Sequence, residues 1–202
     1  MKRLLLMAVA AFSMVSCAGG FSDAEREVIH AGGEALMRVL SIDNEADSLF
    51  LREPSLPVSE EMLRNKEYAL LRERMLVTVQ NPEAVGVGIA APQVGLHRAI
   101  IAVQRFDREG EPLEFFINPE IVEHVGEKAA GGEGCLSVPE LYGNVSRWQE
   151  IVLRYRDEQF VEHTERIEGF TAVIFQHEID HLHGRLFVDY LSEEAFDEAI
   201  EE

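Results

Sequence analysis

The sequence predicts an α+β fold in which mostly antiparallel sheets pack around a central helix. Three features predict it. Met62, Leu63, Leu70, Leu71, Met75 and Leu76 recur broadly at helical spacing. Between Val85 and Glu165 the texture changes to short β-branched and aromatic runs, punctuated by Gly, Pro, Asn and Asp. From Gly169 to His183 the pattern returns to helix, with an apolar face of Phe170, Val173, Ile174 and Phe175.

Taken in order, the first segment lies outside the fold. Lys2 and Arg3 precede an apolar run, Leu4 to Val15, of signal-peptide length and too short for a transmembrane helix. It ends at Ser16-Cys17-Ala18-Gly19-Gly20, which resembles a bacterial lipoprotein cleavage site, although Met14 stands where Leu is usual. The expectation is a signal peptide over 1–16, with Cys17 lipidated and exported, the alternative being a soluble secreted protein. Residues 17–35 then form an anchor and tether, in which Ser22 or Asp23 caps a short helix interrupted by Gly32-Gly33. The folded domain is expected over 36–202. Asn44 to Pro57 reads as loop, with Pro54 and Pro57 as breakers. Ser59 is an N-cap for one helix from about Glu60 to Val79, which stops before Asn81-Pro82. Strands follow at Ala99–Val103, Glu114–Ile117, Ile121–Val125 and Glu150–Tyr155. The C-terminal run from Glu193 to Glu202 reads as a solvated, frayed helix.

The chain has 202 residues, enough for one domain with a real core. Its 18 Lys and Arg against 37 Asp and Glu give a net charge of −19, which argues against binding nucleic acid through phosphates. The two cysteines, Cys17 and Cys135, have separate expected uses, lipid and metal, so no disulfide is predicted.

Three short motifs carry the chemistry. His177 and His181 lie four residues apart, so both imidazoles share one helix face and can bind one ion. Cys135, in Glu133-Gly134-Cys135-Leu136-Ser137, adds a thiolate and leaves a fourth position for water, the mark of a catalytic rather than a closed structural site. Glu178, beside the first ligand, is placed to take a proton from that water and return it to a leaving amine. Gln93 ends Gly86-Val87-Gly88-Ile89-Ala90-Ala91-Pro92-Gln93; its amide and the Leu136 backbone N–H are candidate donors to a developing oxyanion. His183, six residues past His177, falls on another face.

Together the three motifs resemble those of the bacterial peptide deformylases, Gly-x-Gly-x-Ala-Ala-x-Gln, Glu-Gly-Cys-Leu-Ser and His-Glu-x-Asp-His, in that order. Leu51–Val58, Ile117-Asn118-Pro119 and His181–Leu191 also resemble family segments, so the likeness covers roughly Met37 to Ser192. The resemblance implies that Cys135, His177 and His181 hold one divalent metal, natively Fe(II), with Zn(II) or Ni(II) as alternatives. It implies Glu178 as the acid and base, with Gln93 and Leu136 as the oxyanion hole. The reaction would release formate from N-formyl-methionyl peptides. Gly88 would pair with the peptide backbone, and Val87, Phe170, Val173 and Ile174 would line the methionine pocket. Glu133 and Arg147 would form a supporting ion pair of structural, not chemical, use. The expected partners are N-formylated peptides, with no nucleic acid, membrane contact only through lipid on Cys17, and a monomeric state.

The departure from the family lies in the export-like start, since an exported copy does not meet nascent chains. Three alternatives stay open: an exported metallohydrolase for another acylated amine, a zinc peptidase cutting internal bonds, and a lipoprotein that binds metal or peptide. Cys135 as third ligand weighs against the peptidase. Glu178 and Gln93, which metal binding does not need, weigh against a binding protein.

Overall fold

The computed structural model describes residues 20–32, 36–83 and 86–191. The signal segment, Cys17 and the acidic C-terminal run lie outside the described residues. No described helix is long and apolar enough to cross a membrane.

Five helices and five strands are described: α1 (Asp23–His30), α2 (Glu45–Leu51), α3 (Glu60–Leu63), α4 (Lys66–Val79), β1 (Gly88–Ala90), β2 (Ile100–Gln104), β3 (Leu113–Cys135), β4 (Val138–Arg156), β5 (Glu162–Glu168) and α5 (Gly169–Leu182). Short 3₁₀ turns follow β1 and α5, at Ala91–Val94 and Phe187–Tyr190. The strands form one antiparallel meander in the order β1-β2-β3-β4-β5.

The apolar runs of β2 and β3 are continuous because both faces of this part of the sheet are covered. Side chains alternate across a strand. Ile100, Ala102, Phe115 and Ile117 therefore join α4 and α1 in one cluster, with Leu71, Met75 and Ile29. Ile101, Val103 and Phe116 point the other way and pack on Phe175 and Ile179 of α5, with Ile151 and Leu153 of β4. A smaller cluster, Val138, Leu141, Val145, Leu186 and Phe187, closes the far end of the β3–β4 ribbon. That ribbon pairs from Ile117 opposite Arg156 to Cys135 opposite Val138, with register shifts that bend it at Ile117/Glu120, Ile121/Glu123, Val125/Lys128 and Gly134/Cys135.

Several elements differ from the sequence expectation. The single helix over Glu60–Val79 is two: α3 stops, and Asn65 starts α4 by accepting from the Glu67 N–H at 3.3 Å. Asparagine competes for the backbone and favours caps, which outweighs continuous apolar spacing. Ser59 does cap α3, accepting from Met62 N–H. The stretch read as loop from Asn44 contains α2, capped by the Asn44 side chain and anchored by buried Leu51. The two short strands at Glu114–Ile117 and Ile121–Val125 are parts of β3, joined through the positive-φ residue Asn118. Neither β1 nor β5 was legible as a separate strand.

The packed structure also begins earlier than the Leu36 boundary expected. Ser22 and Glu25 form a capping box on α1. Phe21 and Ile29 are buried in the main core. Arg74 of α4 donates to the carbonyls of Ile29, Ala31 and Leu36. Glu25 is bound by Arg98 at 2.5 and 3.0 Å. Burial alone would raise the Glu25 pKa, but the Arg98 and Ser22 contacts outweigh it and hold the carboxyl below its ordinary value of 4.5. A group depressed in the folded state stabilises above its unfolded pKa and loses that contribution as pH falls through the folded one. Glu25→Gln is therefore expected to cost about 1–3 kcal/mol at pH 7. The gap to the wild type should narrow in denaturant melts as the pH drops below 4.5. A constant gap from pH 7 down to pH 3 would contradict the ion pair.

Candidate metal centre and active site

Three segments distant in sequence meet at one cavity of about 610 Å³. α5 supplies His177, Glu178 and His181. β3 ends at Cys135, and the two-residue turn Leu136-Ser137 leads straight into β4. β1 and its 3₁₀ turn supply Gly88 and Gln93.

The donor atoms of Cys135, His177 and His181 lie within 4.8 Å of one another. Cys135 Sγ is 3.3 Å from His181 Nε2. A tetrahedral ion with ordinary metal–sulfur and metal–nitrogen bonds separates such atoms by about 3.6 Å, so the set fits one divalent metal. His177 Nδ1 bonds Glu133 Oε2 at 2.8 Å, which leaves Nε2 for the ion. His181 Nδ1 is buried with no hydrogen-bond partner among the described residues, so packing and the Nε2 contact to Cys135 orient that ring.

Charge is managed by a buried network. Arg147 grips Glu133 at 2.7 and 3.1 Å and Asp180 at 2.5 Å. Tyr190 donates to the other Asp180 oxygen at 2.9 Å, and its ring lies under the Arg147 guanidinium. Burial raises the Glu133 pKa, but His177 and Arg147 outweigh it and keep the carboxylate ionised. The pair read from sequence as purely structural thus reaches a ligand directly through His177 Nδ1. Burial also disfavours charge on His177, yet Cys135 and Glu133 overcome it and hold its pKa above the ordinary range. For His181, burial and the neighbouring cations His177, Arg147 and Arg52 act together and push it well down.

Glu178 is 4% exposed, and its Oε2 has no partner among the described residues. Burial pushes its pKa up to about 7, with His177 opposing and Glu133 adding to the rise. A buried carboxylate near neutrality is suited to taking and returning a proton. Its room comes from Gly88: a Cβ there would lie 2.8 Å from Glu178 Cδ and closer still to Oε1. β1 is also the sheet's edge strand, paired with β2 on one side only.

Gln93 is buried and fixed from both ends. Its Oε1 accepts from Ala90 N–H at 2.8 Å. Its Nε2 reaches Ser137 Oγ at 3.3 Å and Cys135 Sγ at 3.5 Å. Leu136, Val87, Gly88, Val173 and Ile174 line the cavity, as does Phe170, whose ring is more than half exposed at the mouth. His183 caps the end of α5 with an exposed side chain, away from the ligands.

Sequence reasoning missed Asp180, Tyr190 and Ser137, and missed Tyr142 in the cavity wall. Asp180 carried a signal: it lies between the two ligand histidines, three residues from one and adjacent to the other. Tyr190 carried none, because its contact forms only when the 3₁₀ turn folds back.

An α+β scaffold with a thiolate and two imidazoles converging beside a buried carboxylate defines a mononuclear metallohydrolase. The family model for polypeptide deformylases matches residues 37–196, and the chain belongs to that family. A peptide deformylase of Caulobacter vibrioides is 41% identical over 168 residues, covering 82% of this chain and 94% of its own. Among solved structures, an actinonin-bound class I type b peptide deformylase from Acinetobacter baumannii superposes with a TM-score of 0.69 at 34% identity, covering 79% of this chain and 100% of that one. The same enzyme bound to Met-Ala-Ser gives 0.68 at 33% identity, covering 77% and 98%.

Proposed function

We propose that this protein hydrolyses the N-formyl group from formyl-methionyl peptides and releases formate. The observation that carries the reading is the convergence of Cys135, His177 and His181 with Glu178 and Gln93 on one cavity, in a member of this family. The solved relative that holds Met-Ala-Ser supports a peptide beginning with methionine as the occupant.

Cys135, His177 and His181 would hold a divalent metal, which when bound supplies Lewis acidity and an activated water. The chain's own groups do the rest. Glu178 removes a proton from the attacking water and delivers it to the leaving nitrogen. Gln93 Nε2 and the Leu136 N–H face the oxygen that gains charge on the formyl group. The edge of β1 at Gly88 aligns the peptide as an added strand. Val87, Phe170, Val173 and Ile174 receive the methionine side chain. Glu133, itself held by Arg147, fixes the tautomer and orientation of His177.

The test is formate release from formyl-Met-Ala-Ser by residues 18–202, purified without oxygen and loaded with Fe(II) or Ni(II). Chelation is expected to abolish turnover and Ni(II) to restore it. Turnover that survives complete metal removal would sink the metal-dependent reading. No turnover with metal demonstrably bound would move the search to other acylated amines.

Fe(II) or Ni(II) is expected to give the best turnover. Zn(II), which binds such sites more tightly, is the ion expected in protein taken from an oxidising compartment. Iron predominating in metal analysis of the native envelope would refute the zinc part. The export signal, lipid on Cys17, attachment to a membrane on its periplasmic side and a monomeric catalytic domain are part of the same proposal and rest on residues 1–20 and the general character of the sequence. Labelled palmitate should enter the full chain in a bacterial host, and Cys17→Ser should abolish incorporation. Equal labelling of both would exclude the anchor.

A further inference from the structure

The helix α1 precedes the region matched by the family model, which begins at residue 37, yet it is built into the structure beside the loop that carries Gln93. Two contacts make the connection. Gly95, in left-handed backbone at the end of the Ala91–Val94 turn, faces Val28: a Cβ at Gly95 would sit 3.3 Å from Val28 Cγ1. Arg98, two residues before β2, is clamped by both oxygens of Glu25, and both side chains are largely buried. The segment 91–98 is therefore held from two sides. On the cavity side, Gln93 is tied through its side chain to Ala90 and through its carbonyl to Leu40 N–H at 2.8 Å. On the opposite side, α1 supplies the support.

We propose that α1 is a positioning element for Gln93, with Glu25 as its principal contact. This inference rests on the oxyanion role of Gln93 proposed above. Loss of the Glu25 charge leaves Arg98 buried without its counterion. The turn between Ala90 and Arg98 then relaxes toward solvent, and the Gln93 amide loses its alignment. A donor displaced by about 1 Å loses most of its effect on the rate, whereas peptide binding through β1 and the methionine pocket is untouched.

The experiment compares Glu25→Gln with Glu158→Gln in the full chain loaded with Ni(II). Glu158 is the control because it also ties a helix to another element, the β4–β5 loop, accepting from Tyr68 at 3.0 Å and Arg72 at 2.6 Å, both on α4, and among the described residues it bonds neither α1 nor residues 91–98. Expected in Glu25→Gln is a fall in kcat of about tenfold with KM within about twofold of wild type. Hydrogen exchange at the amides of Gly95 and Leu96, bonded to Pro92 O and Ala91 O, should accelerate about tenfold. Glu158→Gln should show neither change at equal loss of thermal stability. Val28→Ala serves as the second variant should Glu25→Gln fail to fold, with the same pattern expected. The proposal is overturned if kcat and exchange in Glu25→Gln match the wild type, if Glu158→Gln reproduces both effects, or if exchange accelerates with kcat unchanged. Failure of the underlying reading looks different: Gln93→Ala would then leave kcat unchanged whatever the exchange data show.

Discussion

Glu178→Gln is expected to lower kcat for formate release by about 10³–10⁴-fold, with KM nearly unchanged and a full complement of metal. The amide occupies the same buried space but cannot accept the proton that water must lose. Metal content should stay at wild-type level, because the proposed ligand atoms belong to Cys135, His177 and His181. Gly88→Ala reaches the same carboxylate by steric means. Its Cβ would sit 2.8 Å from Cδ and 2.9 Å from Cγ of Glu178, so the side chain must swing out of line. Single-turnover kinetics on metal-counted protein checks both. A Glu178→Gln enzyme within tenfold of wild type would show that another group carries the proton.

Arg147→Met should destabilise the folded protein by about 3–5 kcal/mol. Arg147 neutralises two carboxylates, Glu133 and Asp180, in a region where all three side chains are nearly inaccessible to water. Removing it leaves two buried anions facing each other across the space of one guanidinium, and one of them orients His177. The loss should therefore appear twice, as a lower midpoint in urea and as weaker metal retention at fixed chelator concentration. Burial raises the ordinary Glu133 pKa, and only the charged neighbours hold it down. In the variant Glu133 is expected to take up a proton, which recovers part of the stability and none of the orientation of His177. An unchanged midpoint would mean that the network contributes nothing net.

The chemistry was legible in the sequence to a greater degree than the fold's details. His177, Glu178 and His181 announce themselves because helical spacing converts directly into a shared face. Cys135 was found through its neighbours Gly134 and Ser137 and the family likeness, not through spacing, since nothing local says that a hairpin tip will meet a helix 42 residues later. Caps told against continuity at Asn65 and for a helix at Asn44, where the same residue type had two opposite consequences. β1 is three residues long, too short for alternation to register, and is defined only by pairing with β2. The tether reading of residues 17–35 failed at Phe21 and Ile29 for a similar reason: a few apolar residues in a polar stretch weigh little by composition, and only the cluster they join makes them core. Tyr190, Asp180 and Glu133 belong to one network whose members come from three elements, which is why pair-by-pair inspection recovered only Glu133 and Arg147.

The proposed ligands are divided between two layers. Cys135 stands at the tip of the β3–β4 ribbon, whereas both histidines stand on α5, and a turn of only two residues separates the cysteine from the strand that packs back across the sheet. The spacing of the thiolate from the two imidazoles is consequently an expression of how the ribbon leans on the helix. The small cluster of Val138, Leu141, Val145, Leu186 and Phe187 sets that lean: it packs against Cys135, and its Phe187 stacks on His177 at 6.2 Å. Drift at such positions would let a lineage retune its choice among iron, nickel and zinc while every residue of the three signature motifs stayed the same.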